Sequence, residues 1–261
     1  MKAYFTITAG RTGTAWLSDF LTLNLQTKAL HEAIGIDDIG TRTPDIRTMR
    51  NFNHYGNNEL VKSFWAQKLG GLTGEIYAET NHTLSKCGLI ENIASTPLAM
   101  NTTIICLRRD LVKQCVSYMT RYDFFNYTTI WQWYLDPRCR LKIVNPAPFS
   151  RFGTLGSALW YSFEMLARQE YYVQKYSKNL RFVEASLEQI TSRDGAEKFL
   201  SALGVQKFLG LPAPRNESTS AAPKELVDVV SRAVKSFDAD ISSLVKHAIS
   251  EGFTFEPTPN S

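Results

Sequence analysis

A turn near the start of the chain carries residue types that bind phosphate. The segment TAGRTGTAWL, residues 8–17, directly follows a short apolar run at 4–7. Gly10 and Gly13 allow backbone N–H groups to approach a ligand closely. A helix that begins at Thr14 adds unpaired N–H donors and the positive end of its dipole. The pattern predicts an anion-binding turn; the alternative is a tight strand-to-helix turn with a capping threonine.

The side chains of this turn indicate which kind of phosphate ligand it suits. Arg11 offers a cationic fork, and the hydroxyls of Thr12 and Thr14 are further donors. Trp16, one turn into the helix, is expected either to stack on an adenine base or to pack into the core. The turn lacks the Gly-Lys-Ser/Thr ending with which a nucleoside triphosphatase holds the outer phosphates and magnesium. We therefore expect phosphate binding without triphosphate hydrolysis.

A second group of basic and hydroxyl residues follows the clearest apolar strand, residues 102–107. Arg109 stands at the end of that predicted strand. Ser117 and Arg121 lie four residues apart, on one face of the helix predicted over 110–122. These three side chains are placed to converge on a second phosphate. The alternative is that Arg109 is an ordinary surface residue at a strand end.

Alternating strands and helices position the two groups. Apolar runs predict strands at 3–8, 74–79, 102–107 and 180–183, and a short strand that ends at 30–32. Helical spacing predicts helices at 14–26, 58–68, 110–122, 155–175, 196–203, 224–235 and 241–249. The polar segment 34–56 is expected to be an irregular functional loop or flap. This order predicts an α/β fold with a central parallel sheet covered by helices on both faces.

Composition indicates an ordinary globular protein, with 44% hydrophobic and 21% charged residues. We expect one domain over residues 1–261, with a Pro/Ser/Ala-rich linker at 211–223 before the C-terminal helices of 224–249. The net charge of +4 fits an anionic ligand, although a slight excess of Lys and Arg is also common. No basic stripe indicates nucleic-acid binding, and no apolar run is long enough for a membrane span.

The expected location is the cytoplasm. The four cysteines form no CxxC pair and have no histidine at zinc spacing, which favours free thiols in a reducing compartment. The N-terminus enters a strand without the apolar core and cleavage site of a signal peptide. The Asn-X-Ser/Thr matches at 81, 101, 126 and 216 are then chance occurrences.

Taken together, the two phosphate motifs resemble those of a known enzyme family. Residues 10–17, GRTGTAWL, are similar to the 5′-phosphosulfate loop of sulfotransferases that use 3′-phosphoadenosine 5′-phosphosulfate (PAPS). Residues 107–117, LRRDLVKQCVS, are similar to their 3′-phosphate motif, with Arg and Ser at the family's separation. The pair at 31–32, HE, resembles the acceptor-activating position, and 77–81 and 181–184 resemble later family strands. The likeness spans residues 3–205.

The chain departs from the family's pattern at several positions. Leu111 stands where a proline is usual, and Ala15 where a second threonine is common. Arg11 replaces the lysine of the cytosolic steroid and phenol enzymes, which together with Glu32 places the chain nearer the bacterial and Golgi-type branches. No counterpart of the late RKGxxGDW motif is present, so the late contacts to adenine are not predicted.

The resemblance implies a P-loop-like sulfotransferase fold and an enzyme that moves the sulfuryl group of PAPS to a hydroxyl or amine, releasing PAP without a metal. Glu32 is the implied base, with His31 as the second choice, and Arg11 would stabilise the leaving phosphate. The alternative for Glu32 is a solvated carboxylate. The implied nucleotide-binding residues are Gly10, Arg11, Thr12, Gly13, Thr14, Ala15, Trp16, Arg109, Ser117 and Arg121.

The acceptor is expected to be a small molecule, such as a natural product, or a glycan. Residues proposed to face it are Glu79, Asn81, His82, Phe124 and Tyr127, the last two from an aromatic stretch that would line a pocket, form a lid or pack a core. Two other functions stay open: a catalytically inactive nucleotide-binding protein of the same fold, and a P-loop-type kinase. The oligomeric state, including a homodimer, is also open.

Overall fold

Four short strands form one parallel sheet in the computed structural model, which describes residues 1–215, 221–237 and 240–257. The strands are β1 (Lys2–Ile7), β2 (Ile76–Glu79), β3 (Thr102–Arg108) and β4 (Arg181–Ser186). Their order across the sheet is β2-β1-β3-β4, and every neighbouring pair is parallel. The predicted parallel sheet is confirmed. The short strand expected at 30–32 is only an isolated bridge between Leu30 and Glu79.

Helices cover both faces of this sheet. They are α1 (Thr14–Leu25), α2 (Ile46–Tyr55), α3 (Glu59–Gly70), α4 (Leu89–Ala94), α5 (Leu111–Thr120), α6 (Tyr127–Trp133), α7 (Gly153–Tyr176), α8 (Leu187–Ile190), α9 (Arg193–Leu203), α10 (Lys224–Lys235) and α11 (Ile241–Ser250). Short 3₁₀ segments occupy Leu84–Lys86, Pro97–Asn101 and Ala147–Phe152. Because side chains alternate along a strand, Phe5 and Ile104 enter the core beneath α7, whereas Tyr4 and Ile105 enter the core beneath α1 and α9. The α/β expectation is therefore confirmed.

The prediction of an irregular loop over 34–56 is wrong for its second half, which forms α2. Polar residues obscure the apolar face of this helix, but Met49 and Phe52 are buried beneath it. The Asp45 carboxylate caps its first turn by accepting a hydrogen bond from the Thr48 N–H at 2.7 Å. Pro44 followed by Asp45 is the local signal that would have predicted this helix start.

The C-terminal helices pack on the same body as the sheet. Helix α10 packs on α5 and α11 packs on α7, with Val230 and Val245 fully buried in the larger core. The predicted linker 211–223 is described only at its two ends, because residues 216–220 lie outside the described part of the chain. Within that part, no helix combines the length and apolar character that a bilayer crossing requires.

The strand order creates a place where a ligand fits. The chain leaves β1 toward β2 on one side and returns to β3 on the other, so the connections after β1 and β3 diverge. In open parallel sheets the crevice at such a divergence, outside the carboxyl ends of the strands, is the usual ligand position. The segments that reach it are 8–13 after β1 and 109–110 after β3, and each contains part of one predicted phosphate motif.

The C-terminal segment covers a buried carboxylate. The Asn57 N–H donates to the Phe255 carbonyl at 2.7 Å, and the buried Phe255 ring lies 4.6 Å from the Arg168 guanidinium carbon. Beneath this segment the Glu91 side chain is buried, and neither of its carboxylate oxygens has a hydrogen-bond partner among the described residues. Burial, together with the nearby Glu256 carboxylate, raises the pKa of Glu91 to about 7 against the opposing charge of Arg168.

We expect Glu91→Gln to stabilise the protein at alkaline pH. When a carboxyl has a raised pKa in the folded state, the protein becomes less stable as the pH rises from the pKa of the unfolded state to that of the folded state, here about 7. The variant should therefore gain up to ~3 kcal/mol in the free energy of unfolding at pH 8. At pH 5 the gain should fall below about 1 kcal/mol. Urea denaturation at the two pH values measures it.

The exposed Glu225 in the first turn of α10 offers the control, since Glu225→Gln should alter stability little at either pH. An equal effect of Glu91→Gln at pH 5 and pH 8 would contradict the assignment.

Candidate active site

The turn after β1 contains backbone N–H groups without an acceptor among the described residues. Arg11 and Gly13 have φ values of 63° and 89°, both in the left-handed region. Among the described residues, the N–H groups of residues 11–13 have no hydrogen-bond acceptor. Alternating left- and right-handed residues form a concave nest of donors that binds anions. A non-glycine residue held in this region costs of order 1–3 kcal/mol and marks functional sites, so the strain at Arg11 fits a binding role.

Two helices clamp the Gly10 peptide of this turn. Its N–H donates to the Tyr161 hydroxyl of α7 at 3.1 Å, and its carbonyl accepts from the Gln114 amide of α5 at 2.9 Å and from the Tyr118 hydroxyl. A Cβ at this position would lie 2.8 Å from the ring of Tyr134. Gly10 is therefore required by its packing.

Two arginines meet at the crevice, and neither is paired with a carboxylate of the described chain. The Arg109 Nη1 donates to the Arg11 carbonyl at 2.9 Å, and the Arg11 Nε donates to the Ser117 hydroxyl at 3.2 Å. Neither arginine forms an ion pair with a described residue, and the buried Nε of Arg109 has no acceptor there. Burial lowers the pKa of Arg109, and the charge of Arg11 lowers it further against the opposing effect of Glu188. An anion between them would relieve both the repulsion and the missing hydrogen bond.

The neighbouring arginines do not join this pair. Arg108 turns away, donating to the Gln169 side chain at 2.9 Å and pairing with Glu184 at 3.4 Å. Arg121 is exposed at the end of α5, and its side chain forms no hydrogen bond to a described residue. The structure brings together Arg11, Arg109 and Ser117 and leaves Arg121 outside.

Three predicted ligand residues of the turn have other surroundings. The Thr12 hydroxyl is buried, donates to the Ala9 carbonyl at 2.8 Å and lies 2.6 Å from the Thr8 hydroxyl, so it braces the turn instead of facing a ligand. Trp16 shows the core-packing alternative: it stacks on Phe20 at 5.2 Å between ring centroids. Ala15 is buried.

The position of Thr14 agrees better with its predicted role as a phosphate ligand. It is the first residue of α1, and its carbonyl accepts from the Thr80 hydroxyl at 2.9 Å. Its own hydroxyl has no described partner, so it remains available beside the nest.

Glu32 lies beside two histidines. Its Oε1 is 3.3 Å from Nε2 of His82, and its Oε2 is 3.8 Å from Nε2 of His31. The Glu32 side chain is 23% exposed, so it is shielded yet open to an incoming group. A Cβ at Gly10 would lie 3.5 Å from Cε1 of His82, which places this carboxylate group beside the anion-binding turn. The alternative of a freely solvated carboxylate does not fit these contacts.

A buried lysine lies behind His82, and the sequence prediction missed it. The Nζ of Lys86 is 2.6 Å from Nδ1 of His82, 2.6 Å from the Trp133 carbonyl and 3.0 Å from the Tyr161 hydroxyl. Burial lowers the pKa of Lys86, against the opposing charge of Glu32. Burial also lowers the pKa of His82, and the charges of Lys86, His31 and Arg11 lower it further. The only sequence signal was the four-residue spacing of His82 and Lys86.

Two residues expected to contact the acceptor are structural instead. Glu79 is buried, pairs with the Lys68 amine at 2.8 Å and accepts from the Tyr77 hydroxyl at 2.6 Å. The buried Asn81 donates to the Thr43 hydroxyl at 2.9 Å, and its carbonyl oxygen accepts from the backbone N–H and the hydroxyl of Thr83. Both side chains are engaged in holding loops, because each already has its hydrogen-bonding partners inside the protein.

The aromatic residues Phe124 and Tyr127 also differ from the expectation that they face the acceptor. Phe124 is buried and packs 4.8 Å from Tyr134, in the cluster that includes Tyr118 and Tyr161. Tyr127 is exposed, with the Arg138 guanidinium 4.9 Å above its ring. Of the expected acceptor residues, His82 therefore lies nearest the crevice, where it contacts Glu32.

A second carboxylate near Arg11 was also missed. The Oδ2 atom of Asp123 is buried and has no hydrogen-bond partner among the described residues. Burial raises the pKa of Asp123, while Tyr134, Arg11 and Arg121 lower it. Asp123 forms no ion pair with Arg11 within the described chain, so the arginine stays available to a ligand.

The comparisons with known proteins give no family. No protein-family model matches the chain, and no curated protein matches it significantly. In the described residues, no group of three or more His, Cys, Asp or Glu side chains is arranged to hold a metal ion.

We expect Gly13→Ala to cost more stability than a substitution at another left-handed glycine. At Gly13 the φ is 89° and a Cβ would lie 2.6 Å from the Leu187 side chain, whereas at Gly204 the φ is 78° and the nearest atom would be Nη1 of Arg181 at an ordinary 3.8 Å. Gly204→Ala should therefore cost only the left-handed strain, about 1–2 kcal/mol. Gly13→Ala should cost at least about 1 kcal/mol more by urea denaturation. Equal losses would contradict the tight packing of the turn on Leu187 of α8.

Proposed function

We propose that the chain is a PAPS-dependent sulfotransferase. The observation that carries this proposal is the pair Arg11 and Arg109, which lie at the divergence of β1 and β3, have no ion-pair partner among the described residues and adjoin the donor nest of residues 11–13. Cationic forks and oriented N–H groups at the carboxyl ends of parallel strands suit an anionic nucleotide.

The residues fit a nucleotide with phosphate at both the 5′ and 3′ positions. The nest, Arg11 and the free Thr14 hydroxyl would hold the 5′-phosphosulfate, as at other helix N-termini that bind phosphate. Arg109, through its unpaired Nε, and Ser117 would hold the 3′-phosphate. The hydrogen bond between Arg11 and Ser117 joins the two groups, so a single bisphosphorylated ligand would span them.

PAPS supplies a sulfuryl group on a phosphate leaving group. The chain's residues would do the rest of the chemistry. As the acceptor oxygen or nitrogen bonds to sulfur and the bond from sulfur to the 5′-phosphate breaks, Glu32 takes the acceptor proton. Arg11 and the nest stabilise the charge that develops on the leaving phosphate. The acceptor is a hydroxyl or amine of a small molecule or glycan.

The geometry favours this function over the two alternatives. A kinase needs a lysine at the outer phosphates and a hydroxyl and a carboxylate on magnesium. The turn after β1 provides the Thr14 hydroxyl, but its cation is Arg11 instead of a lysine and it contains no carboxylate. An inactive nucleotide-binding protein has no use for a shielded carboxylate, yet Glu32 is held by His82 beside the nest. Calorimetry with PAP and with ATP distinguishes the sulfotransferase, which should bind PAP, from a kinase, which should bind ATP. PAP binding without any sulfuryl transfer would identify the inactive protein.

We expect Arg109→Ala to weaken PAP binding about 10- to 100-fold, because hydrogen bonds to a charged group contribute about 1.5–3 kcal/mol. Binding of AMP, which lacks the 3′-phosphate, should change less than about 3-fold. The adjacent Arg108→Ala is the matched control and should bind PAP like the parent protein, because Arg108 is engaged with Gln169 and Glu184. Calorimetry measures all three, and an equal loss for PAP and AMP would contradict the 3′-phosphate assignment.

We expect Glu32→Gln to lower kcat about 10²- to 10⁴-fold, since general-base catalysis contributes this much. The affinity for PAP should stay within about 3-fold, because the carboxylate is not among the predicted phosphate contacts. Transfer from labelled PAPS is assayed with whichever phenol, alcohol, amine or glycan of a panel the parent protein sulfates.

The exposed Glu75→Gln serves as a control that removes a carboxylate away from the site. A Glu32→Gln protein that retains more than about a tenth of the parent kcat would remove Glu32 as the base.

A further inference from the structure

A continuous row of polar groups runs from the Glu32 carboxylate to the phosphate turn. Glu32 contacts His82 at 3.3 Å, His82 contacts Lys86 at 2.6 Å, and Lys86 contacts the Tyr161 hydroxyl at 3.0 Å. The same hydroxyl accepts the Gly10 N–H at 3.1 Å. His82, Lys86 and Tyr161 are nearly or fully buried, so few water molecules compete for these contacts.

The charge state of Lys86 decides which His82 nitrogen carries the proton. Three polar atoms lie within hydrogen-bond distance of the Lys86 Nζ: Nδ1 of His82, the Trp133 carbonyl and the Tyr161 hydroxyl. An ammonium group has three donors and no lone pair, so as an ammonium Lys86 would donate to all three. The His82 Nδ1 must then accept, and a neutral ring with an accepting Nδ1 carries its proton on Nε2, the atom that contacts Glu32.

Two aromatic rings and one carboxylate favour an ammonium at Lys86 against the effect of burial. The rings of Tyr134 and Tyr161 lie 5.7 and 5.3 Å from the Lys86 Nζ, within the range in which an aromatic ring stabilises a cation. Burial lowers the pKa of Lys86 and the charge of Arg168 lowers it further, whereas the Glu32 carboxylate raises it. Burial lowers the pKa of His82, and the charges of Lys86, His31 and Arg11 lower it further, so all of these effects favour a neutral ring.

We propose that His82 and Lys86 are positioning residues for Glu32: Lys86 locks His82 in its Nε2–H form, and this N–H holds the Glu32 carboxylate in the crevice. The proposal rests on the proposed sulfotransferase function of Glu32. His82 is buried and both of its nitrogens are engaged, so it does not itself reach the acceptor. The acceptor proton therefore ends on Glu32. The Tyr161 hydroxyl, shared by Lys86 and Gly10, links this group to the turn that binds the nucleotide.

The first test reads the His82 tautomer in the unaltered protein. The full chain has four histidines, so ¹⁵N labelling of histidine gives four ring spin systems, and His82→Gln identifies that of His82. The expected result is a neutral ring with a protonated Nε2 and an unprotonated Nδ1 at pH 7, with and without PAP. A ring protonated on Nδ1, or on both nitrogens, overturns the proposal. No lysine variant has to fold for this measurement.

The second test measures the effect on turnover. Lys86→Met and His82→Gln should each lower kcat about 10- to 100-fold, as loss of an orienting partner does in other sites, while PAP affinity changes less than about 3-fold. The Lys86→Met spectrum should also show loss of the single Nε2–H form. Lys68→Met is the matched control, since Lys68 is likewise buried and donates to the Arg42 carbonyl and pairs with Glu79, away from Glu32.

The outcomes separate this proposal from the proposed function. If Lys86→Met folds and keeps the parent kcat, or if Lys68→Met loses as much kcat, the positioning role is wrong. If the parent protein binds no PAP, the sulfotransferase function fails, while the tautomer measurement still reports whether Lys86 locks His82.

Discussion

The constraint on which the site depends is the meeting of two arginines, Arg11 and Arg109, that have no ion-pair partner among the described residues. Like charges held close in a partly buried place repel, and Arg109 also has a buried N–H without an acceptor. The fold tolerates this because β1 and β3 are neighbours, so the segments that follow them meet, and because Arg109 is fixed to the Arg11 carbonyl. If the cations are already in place before an anion binds, the free-energy cost of arranging them arises during folding and not at each binding event.

Helices distant in sequence hold the turn in its strained form. Helix α7 contributes Tyr161 to the Gly10 N–H, and its Gln169 side chain donates to the Ile7 and Leu107 carbonyls at 2.8 and 3.1 Å, at the ends of β1 and β3. Helix α5 contributes Gln114 to the Gly10 carbonyl. The strain at Arg11 is thus balanced by hydrogen bonds from two elements that also pack the core, which makes the turn rigid before any ligand arrives.

The sequence predicted the features of the site that depend on residues close together in the chain. It missed the features that depend on contacts between distant segments. Gly10 and Gly13 in a strand-to-helix turn, and Arg109 with Ser117 after β3, were readable because backbone conformation and helix spacing act over a few residues. The roles of Thr12 and Trp16 were not, because a hydroxyl or ring at a helix start faces either ligand or core depending on the neighbours supplied by the fold. Lys86 was invisible for the same reason: its partners are brought to it from α6 and α7.

The proposed function requires that the Glu32 carboxylate stay apart from the Arg11 and Arg109 cations. A carboxylate beside an unpaired guanidinium would be expected to pair with it, which would neutralise the anion site and block the base. In the structure Glu32 lies against His82 and His31, and no described carboxylate pairs with Arg11. A neutral histidine would suit this separation, because its N–H could hold the carboxylate and would add no positive charge of its own. The buried Lys86, as an ammonium, would supply the cation on the far side of the ring, at 2.6 Å from Nδ1 of His82. The proposed order of carboxylate, neutral ring and buried ammonium would thus leave Arg11 free for phosphate and Glu32 free for a proton.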